Sequence, residues 1–266
     1  MQRLDLVSAG HDIPAVNPPR KLVGLYLSPW TERAKWALDH HRLIYKTIEH
    51  IPVIGERRLR RLVGPNKPRA TVPVLLADGE VLTESWDIAR YADRVGESTP
   101  LISPESEQDI TKWQLLADNA MNAGRAIVIA RTIASDEALD ENAPPPAPRW
   151  LRPVLRPVTR AAMRMFGRKY GARLDDLDGA TAAMRTALSA VRRGLAGGSH
   201  LLGEFSYADI IVATLMQAVL PVSDQYVRVG PANRRVWTHD ALATEFADLI
   251  AWRDRLYQSQ RPARTR

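Results

Sequence analysis

The chain has 266 residues, of which 45% are hydrophobic and 25% are charged, so it is long enough for one large globular domain or two ordinary ones. It contains no cysteine, which excludes disulfides, thiolate metal sites and a cysteine nucleophile. The net charge of +7 is spread among 30 acidic residues and is not concentrated in a nucleic-acid-binding module, so we expect no nucleic-acid partner.

The first segment of the chain, residues 1–20, contains prolines and shows no hydrophobic periodicity, so we interpret it as a mobile N-terminal arm. It lacks the apolar region of a signal peptide. The longest apolar run, "DIIVATLMQAVLPV", is too short to span a bilayer. We therefore expect a cytoplasmic protein.

The segment 21–97 predicts the element order β-α-β-α-β-β-α. "KLVGLYL" and "IYKTIEH" have the composition of strands, and "SPWTERAKWALDHH" is typical of a helix with Ser28 as N-cap and Pro29 at its first position. A short helix follows over 54–63. "VPVLLA" and "EVLT" form a hairpin around Asp78-Gly79, and "ESWDIARYADRVG" is a further helix.

The segment 104–258 contains only helical patterns and is joined to the first by the linker "GESTPLISP". The three-four spacing of apolar residues predicts a long helix over 104–134 and further helices at 158–167, 175–196, 207–220 and 242–258. "FSYAD" places Ser206 and Asp209 at the spacing of a capping box. Residues 259–266 form a basic tail.

An arginine-rich insert occupies residues 140–173. Five arginines recur at every fourth position, namely Arg152, Arg156, Arg160, Arg164 and Arg168. Because proline breaks a helix interior, we expect the helix here to begin after Pro157. A basic amphipathic face can bind a membrane or an acidic ligand, but it is more often a solvated face, so we expect no membrane contact from 152–168.

Pro73 stands at the entry to the third predicted strand, beside the start of the first helix, which is the mark of a thioredoxin-like domain. With the helical segment that follows, the chain resembles the cytosolic glutathione S-transferases in "SPWTERAKWAL", "TVPVLLADGEVLTES" and "FSYADIIVATL". The resemblance implies an α/β thioredoxin-like N-terminal domain over 21–97 and an all-α C-terminal domain over 104–258. It also implies a bacterial, serine-type member, a homodimer, and glutathione as co-substrate with no cofactor or metal.

The same resemblance implies where glutathione binds. Beside a cis Val72-Pro73 bond, the backbone of Val72 would pair with the cysteinyl unit of glutathione. Glu84 and Ser85, at the next helix start, would hold the γ-glutamyl end, since a helix N-terminus favours an anion. Candidate cations for the glycine carboxylate are Lys67 and Arg69.

The catalytic candidates lie in "SPWT", which stands where related proteins carry Cys-Pro-x-Cys. Here both thiol positions are hydroxyls, Ser28 and Thr31. A hydroxyl cannot exchange disulfides, but it can donate a hydrogen bond to the sulfur of glutathione and favour the thiolate. We predict Ser28 as the catalytic residue and Thr31 as a second candidate, with plain helix capping as the alternative role of Ser28.

The second substrate is expected between the SPW loop and the long helix. Its candidate contacts are Trp30, Trp113, Asn119, Asn122 and Arg125, of which Trp113 also suits the core. The predicted function is glutathione transfer to a small hydrophobic electrophile. Three alternatives stay open. The first is ether cleavage of the β-etherase type, because Trp86 in "ESWDIARYAD" and the enlarged helical segment are similar to lignin β-etherases. The others are a non-catalytic binding protein and an enzyme that uses a thiol other than glutathione.

Overall fold

The computed structural model describes residues 19–65, 67–144 and 146–261, so most of the predicted N-terminal arm and of the basic tail lies outside the described residues. The strands of the described part are Arg20–Gly24 (β1), Tyr45–Glu49 (β2), Val74–Ala77 (β3) and Glu80–Leu82 (β4). The helices are Pro29–His40 (α1), Glu56–Val63 (α2), Ser85–Val95 (α3), Glu107–Ala134 (α4), Asp136–Glu141 (α5), Arg152–Lys169 (α6), Leu177–Leu195 (α7), Tyr207–Leu215 (α8), Pro231–Trp237 (α9), Asp240–Glu245 (α10) and Ala247–Gln260 (α11).

The four strands form one mixed sheet in the order β2-β1-β3-β4, with β1 parallel to β2 and antiparallel to β3. Side chains alternate along a strand, so the cross-strand pair Leu22–Leu75 clusters with residues of α1 and α3. The neighbouring pair Val23–Val74 clusters with Leu59 of α2 on the other face. The sheet is therefore covered by helices on both faces, which confirms the predicted thioredoxin-like arrangement.

The described elements after α3 are all helical. The longest helix, α4, has 28 residues and packs against α6, α7 and α8, while α1 of the first part packs against α8. One buried cluster therefore runs from Leu22 in the sheet through Trp36 to Leu215 in the helical part. The predicted architecture, thioredoxin-like followed by all-helical, is confirmed. In the described ranges, no helix combines the length and the apolarity that a membrane crossing requires.

The linker between α3 and α4 is fixed to both parts of the chain. Asp93 of α3 accepts hydrogen bonds from the backbone N–H groups of Leu101 and Ile102, both at 2.9 Å. The carbonyl of Leu101 in turn accepts from the N–H of Tyr207, at the start of α8, at 2.8 Å. These bonds hold the two parts of the chain in one orientation.

The predicted capping box at the start of α8 is confirmed. Asp209 is completely buried and accepts a hydrogen bond from the N–H of Ser206 at 2.9 Å. Its other carboxylate oxygen accepts from the N–H of Leu201, also at 2.9 Å. The carboxylate therefore satisfies two backbone donors that would otherwise be buried without partners.

The expected start of α6 is wrong, because this helix begins before Pro157. Pro153 lies in the first turn, where its missing N–H is not needed. Pro157 removes one intrahelical hydrogen bond, but Arg156 holds α6 against α5 through ion pairs with Asp136 at 2.8 Å and Asp140 at 2.6 Å. Tertiary contacts thus override the local effect of the proline.

Several other elements differ from the predictions. β1 ends at Gly24 because residues 25–28 turn into α1, with the N–H of Ser28 bonded to the carbonyl of Leu25 at 2.9 Å. The segment predicted as one helix over 242–258 contains two, α10 and α11. Helices α5 and α9, of six and seven residues, were not predicted, since they are too short to show an apolar repeat.

Candidate functional site

Three of the predicted segments meet at one end of the sheet. Val23 pairs with Val74, so β3 begins beside the point where β1 ends and the chain turns into α1. Leu75 pairs with Leu82, so the chain leaves β4 for α3 at this same end. The N-termini of α1 and α3 and the entry to β3 therefore surround one edge of the sheet.

The entry to β3 offers an unpaired stretch of backbone. The peptide bond Val72-Pro73 is cis, as expected from the resemblance, and Pro73 is buried. The ladder with β1 begins only at Val74, and within the described chain nothing hydrogen-bonds to the N–H or C=O of Val72. Val72 thus presents both backbone groups that an added extended peptide requires.

Glu84 is the N-cap residue of α3, and its carboxylate is not used for capping. Partial burial raises the pKa of this carboxyl, and the nearby charges of Asp87 and Asp118 act in the same direction, while Lys67 opposes them. The excess of neighbouring negative charge favours a cationic group next to Glu84. The ammonium group of a bound amino acid would meet that requirement.

Ser85, the first residue of α3, is only 4% exposed. Its side chain lies beside the buried hydroxyl of Tyr207, without a hydrogen bond of normal geometry between the two. The N–H groups of Ser85, Trp86 and Asp87 donate to no residue of the described ranges. A carboxylate at this helix end would therefore bind mainly to backbone N–H groups. The ring of Trp86 packs edge-on against Tyr207 at 5.8 Å, a contact between the sheet domain and α8.

Ser28 caps α1 and keeps its proton available. Its Oγ accepts a long hydrogen bond of 3.4 Å from the N–H of Thr31. Ser28 is half-buried, and in the described structure its hydroxyl finds no acceptor. The same side chain can therefore act as a helix cap and donate to a ligand, so the two predicted roles of Ser28 are compatible.

Thr31, the second catalytic candidate, faces the protein interior. It is 1% exposed, and its hydroxyl has no hydrogen-bond partner among the described residues. Its Cγ2 fills the space that a side chain on Gly24 would occupy. The structure therefore does not bring Thr31 to the cleft, and its burial favours Ser28 as the hydroxyl that meets a ligand.

Trp30 connects this edge of the sheet to the helical part. Its Nε1 donates to Asp118 Oδ1 of α4 at 3.1 Å. Arg33, which is fully buried, donates to the same oxygen at 2.6 Å and to Thr214 of α8 at 3.0 Å. Sequence reasoning missed Arg33 and Asp118. The available signal was the position of Arg33 on the buried face of α1, three residues after Trp30 and four before Ala37.

Arg125 of α4 lies between two aromatic rings. Its guanidinium carbon is 4.4 Å from the ring centroid of Trp30 and 4.4 Å from that of Tyr170. Its Nη1 donates to Asn122 Oδ1 at 3.0 Å. Arg125 thus contacts both Asn122 and Trp30, and their role as substrate contacts stays a prediction. Tyr170, after the end of α6, is a residue that no local pattern indicated.

Comparisons with known proteins agree with this geometry. Residues 22–99 match the family described as "Glutathione S-transferase, N-terminal domain". The chain is also 31% identical over 121 residues to Glutathione S-transferase U13 of Arabidopsis thaliana, which covers 44% of this chain and 53% of that protein. The region 22–99 therefore corresponds to the N-terminal domain of the glutathione S-transferases.

The chain spans about half or less of the length of the curated relatives it matches. A probable glutathione S-transferase of Nicotiana tabacum is 34% identical over 89 residues, which cover 34% of this chain and 38% of the relative. The fold extends further. A glutathione S-transferase of Ceriporiopsis subvermispora in complex with glutathione has a TM-score of 0.60 at 17% identity, over 91% of this chain and 98% of that chain. The glutathione transferase GSTFuA3 of Phanerochaete chrysosporium has a TM-score of 0.58 at 18% identity, over 89% of this chain and 98% of that chain.

Two of the predicted substrate contacts do not lie in the cleft. The indole of Trp113 packs on Gly194 of α7 and fills the space that a side chain at position 194 would occupy. Asn119 is exposed on α4. Asp118, Asn122 and Arg125 follow a four-three spacing and share one face of the helix, whereas Trp113 and Asn119 point in other directions. Trp113 is therefore a packing residue.

Arg69, one of the two candidate cations, lines a basic groove, a cavity of about 590 Å³ between α2 and the end of α6. Its lining residues are Glu56, Arg57, Arg60, Arg61, Arg69, Ala70 and Lys169. Arg60 donates to the carbonyls of Lys67 at 2.7 Å and Pro68 at 3.2 Å, which fixes the loop before Val72. Arg69 thus faces the groove, while Lys67 lies near Glu84.

The arginine-rich insert contacts the sheet domain. Lys169 at the end of α6 donates to both oxygens of Glu56 in α2, each at 2.8 Å. We expected a solvated basic face, but Arg156 and Arg160 pair with acidic residues of α5. Arg164 and Arg168 are exposed, in agreement with the expectation. The insert therefore borders the cleft through its C-terminal end.

Proposed function

We propose that the protein is a glutathione transferase in which Ser28 stabilises the glutathione thiolate. The observation that carries the proposal is the half-buried hydroxyl of Ser28, which keeps its proton available at the start of α1, next to the unpaired backbone of Val72. Both features lie at the same edge of the sheet, where an extended tripeptide can pair with Val72 and place its cysteine sulfur near Ser28.

The stabilisation is large enough to matter at neutral pH. A hydrogen bond to a charged group contributes about 1.5–3 kcal/mol, and a helix N-terminus adds about 0.3–1 kcal/mol. At about 1.36 kcal/mol per pKa unit, these two effects lower the pKa of a thiol near 8.5 by roughly 1.3–3 units. The bound thiol would then have a pKa of roughly 5.5–7.2, so that a substantial fraction is ionised at pH 7.

The γ-glutamyl end of glutathione would bind at the start of α3. Glu84, whose surroundings favour a cation, would hold the ammonium group. The first N–H groups of α3, including that of Ser85, would bind the carboxylate. The glycine carboxylate, at the opposite end of the tripeptide, would face the basic groove that Arg69 lines, whereas Lys67, the other candidate, lies near Glu84.

In the proposed reaction, the thiol loses its proton to solvent and the thiolate attacks an electrophilic carbon of the second substrate. A sulfur–carbon bond forms, and the bond to the leaving group breaks with its electron pair on that group. The second substrate, a small hydrophobic electrophile, would bind beside the indole of Trp30, which Asp118 of α4 holds in place. Trp30 supplies an apolar ring two residues from Ser28.

Two measurements on the wild type and on Ser28→Ala test the proposal. Isothermal titration calorimetry measures glutathione affinity, and conjugation of chlorodinitrobenzene measures turnover. We expect the wild type to bind glutathione and to turn over, and Ser28→Ala to bind with similar affinity while kcat falls by about 10- to 100-fold.

The matched control is Ser135→Ala, because Ser135 is also a helix N-cap, accepting from the N–H of Ala138 at 3.2 Å, but belongs to α5. It should lose some stability and no turnover. Failure of the wild type to bind glutathione would overturn the proposal. Binding without turnover of chloroaromatic compounds and aryl ethers would instead favour the non-catalytic alternative.

A further inference from the structure

The guanidinium group of Arg125 contacts two aromatic rings but lacks an ionic partner. Its Cζ lies 4.4 Å from the ring centroid of Trp30 and 4.4 Å from that of Tyr170. No carboxylate of residues 19–65, 67–144 or 146–261 forms an ion pair with it, and its one hydrogen bond goes to the neutral amide of Asn122. A partly buried positive charge is therefore left without a counter-charge.

The nearest carboxylate in the cleft is already used. Asp118 Oδ1 accepts from both Arg33 and Trp30. Arg33 and Arg125 together carry two positive charges against this single carboxylate. Burial lowers the pKa of Arg125 to about 10, with Tyr170 and Asp118 opposing that shift, so the group stays protonated at neutral pH. Around Trp30, the two arginines therefore outnumber Asp118, the carboxylate they share.

The guanidinium group of Arg125 is only partly buried, and most of its donors are unused. Arginine has five N–H donors in one plane, and one of them is bonded to Asn122. The other donors have no acceptor among the described residues, and their planar arrangement matches the two oxygens of a carboxylate. Because the two rings already fix the side chain, little conformational freedom is lost when a ligand binds.

We propose that Arg125 recognises a carboxylate on the second substrate, so that the protein acts on planar aromatic electrophiles that carry an acid group. The inference rests on the proposed glutathione transferase function and names its substrate class. The carboxylate would accept from the in-plane N–H groups of Arg125, and the aromatic ring would lie along Trp30, two residues from Ser28. Apolar surface and positive charge in the same place select an aromatic acid over a neutral aromatic compound.

The test compares a chlorodinitrobenzoate with the corresponding chlorodinitrobenzamide. In both reactions the glutathione thiolate forms a bond to the ring carbon that carries chlorine, and chloride leaves with the electron pair. The measured quantity is the ratio of kcat/KM for the acid to that for the amide, each divided by its uncatalysed rate with glutathione. This correction removes the difference in intrinsic reactivity between the two rings.

We expect the wild type to prefer the acid and Arg125→Met to lose that preference, with the ratio falling by about 10- to 100-fold. Arg125→Lys, which keeps the charge but not the planar donors, should give an intermediate ratio. The matched control is Arg164→Met, which removes an exposed arginine of α6 outside the cleft and should leave the ratio unchanged.

A binding measurement separates this inference from the proposed function. Calorimetry with S-methylglutathione, which has no thiol, compares binding of the acid and the amide without reaction. Preferential binding of the acid that is lost in Arg125→Met supports the inference even where no turnover occurs. The inference is overturned if the acid-to-amide ratio is near one in the wild type, or if Arg125→Met does not change that ratio. In either case, turnover of both compounds would still support the proposed transferase function.

Discussion

Arg33 of α1 donates to Asp118 Oδ1 of α4 at 2.6 Å, and this ion pair joins the sheet domain to the helical part directly beneath the cleft. Arg33 is completely buried, whereas the Asp118 side chain is 31% exposed. The guanidinium group also bonds to Thr214 in α8. A single side chain therefore connects three helices and positions the carboxylate that Trp30 contacts.

Substitution of Arg33 by methionine should lower the free energy of unfolding by about 3–5 kcal/mol, the usual effect of removing one partner of a buried ion pair. Methionine keeps most of the apolar stem, so the loss would report mainly on the charge and its hydrogen bonds. Urea unfolding monitored by circular dichroism measures the change.

The control for Arg33→Met is Arg90→Met. Arg90 of α3 pairs with Glu107 of α4, so this pair also joins the two parts of the chain, but its side chains are 51% and 39% exposed. Removing it should change the free energy of unfolding by at most about 1 kcal/mol. Equal losses in the two variants would show that the burial of Arg33 has no energetic importance.

The buried hydroxyl of Thr31 has no partner in the described structure, so Thr31→Val should not destabilise the protein. Valine has the same shape, and removing an unsatisfied polar atom is expected to be neutral or to stabilise by up to about 1–3 kcal/mol. Glutathione conjugation should be unaffected. Thermal unfolding and a chlorodinitrobenzene assay provide the two readouts, and a large loss of turnover would return Thr31 to the catalytic candidates.

Asp209→Ala should lower the free energy of unfolding by about 2–4 kcal/mol, because the N–H groups of Ser206 and Leu201 would be left buried without acceptors. The control is Asp176→Ala, which removes the N-cap acceptor of Gly179 at the start of α7 and should cost about 0.5–2 kcal/mol. Chemical denaturation measures both, and a smaller loss for Asp209→Ala than for the control would contradict the role of the buried box.

Glutathione affinity should decrease in mild acid through Glu84. The pKa of this carboxyl is raised, so it takes up a proton at a higher pH than an ordinary Glu near 4.3. The ionised form that would hold the ammonium group is complete above the raised pKa and is lost as the pH falls through it. Calorimetry from about pH 7 to about pH 4 should show this decrease, and Glu84→Gln should bind more weakly with little dependence on pH.

The local part of the fold could be predicted from the sequence. Ser28 and Pro29 mark the start of α1, and Asp78-Gly79 marks the hairpin, because caps and tight turns depend on residues close together in the chain. The start of α6 could not be predicted in this way. Pro157 is a local signal to break a helix, and the ion pairs of Arg156 with α5 override it.

The site shows the same division. The strand register places Val72, Glu84 and Ser28 at one edge of the sheet. Short sequence motifs around these residues were enough to predict that they meet there. Arg125 was among the candidates, but its partner Tyr170 is 45 residues further along the chain, and the stacking depends on how α6 packs against α4. Trp113 has the right residue type but the wrong helix face.

The central claim is tested most directly by the pKa of the glutathione thiol when it is bound to the wild type and to Ser28→Ala. Ultraviolet absorbance of the thiolate during a pH titration measures that pKa. The account predicts that the bound thiol ionises below neutral pH in the wild type. In Ser28→Ala its pKa should rise by about 1–2 units, the equivalent of one hydrogen bond to a charged sulfur. A bound thiol with the same pKa in both proteins would contradict the role of Ser28.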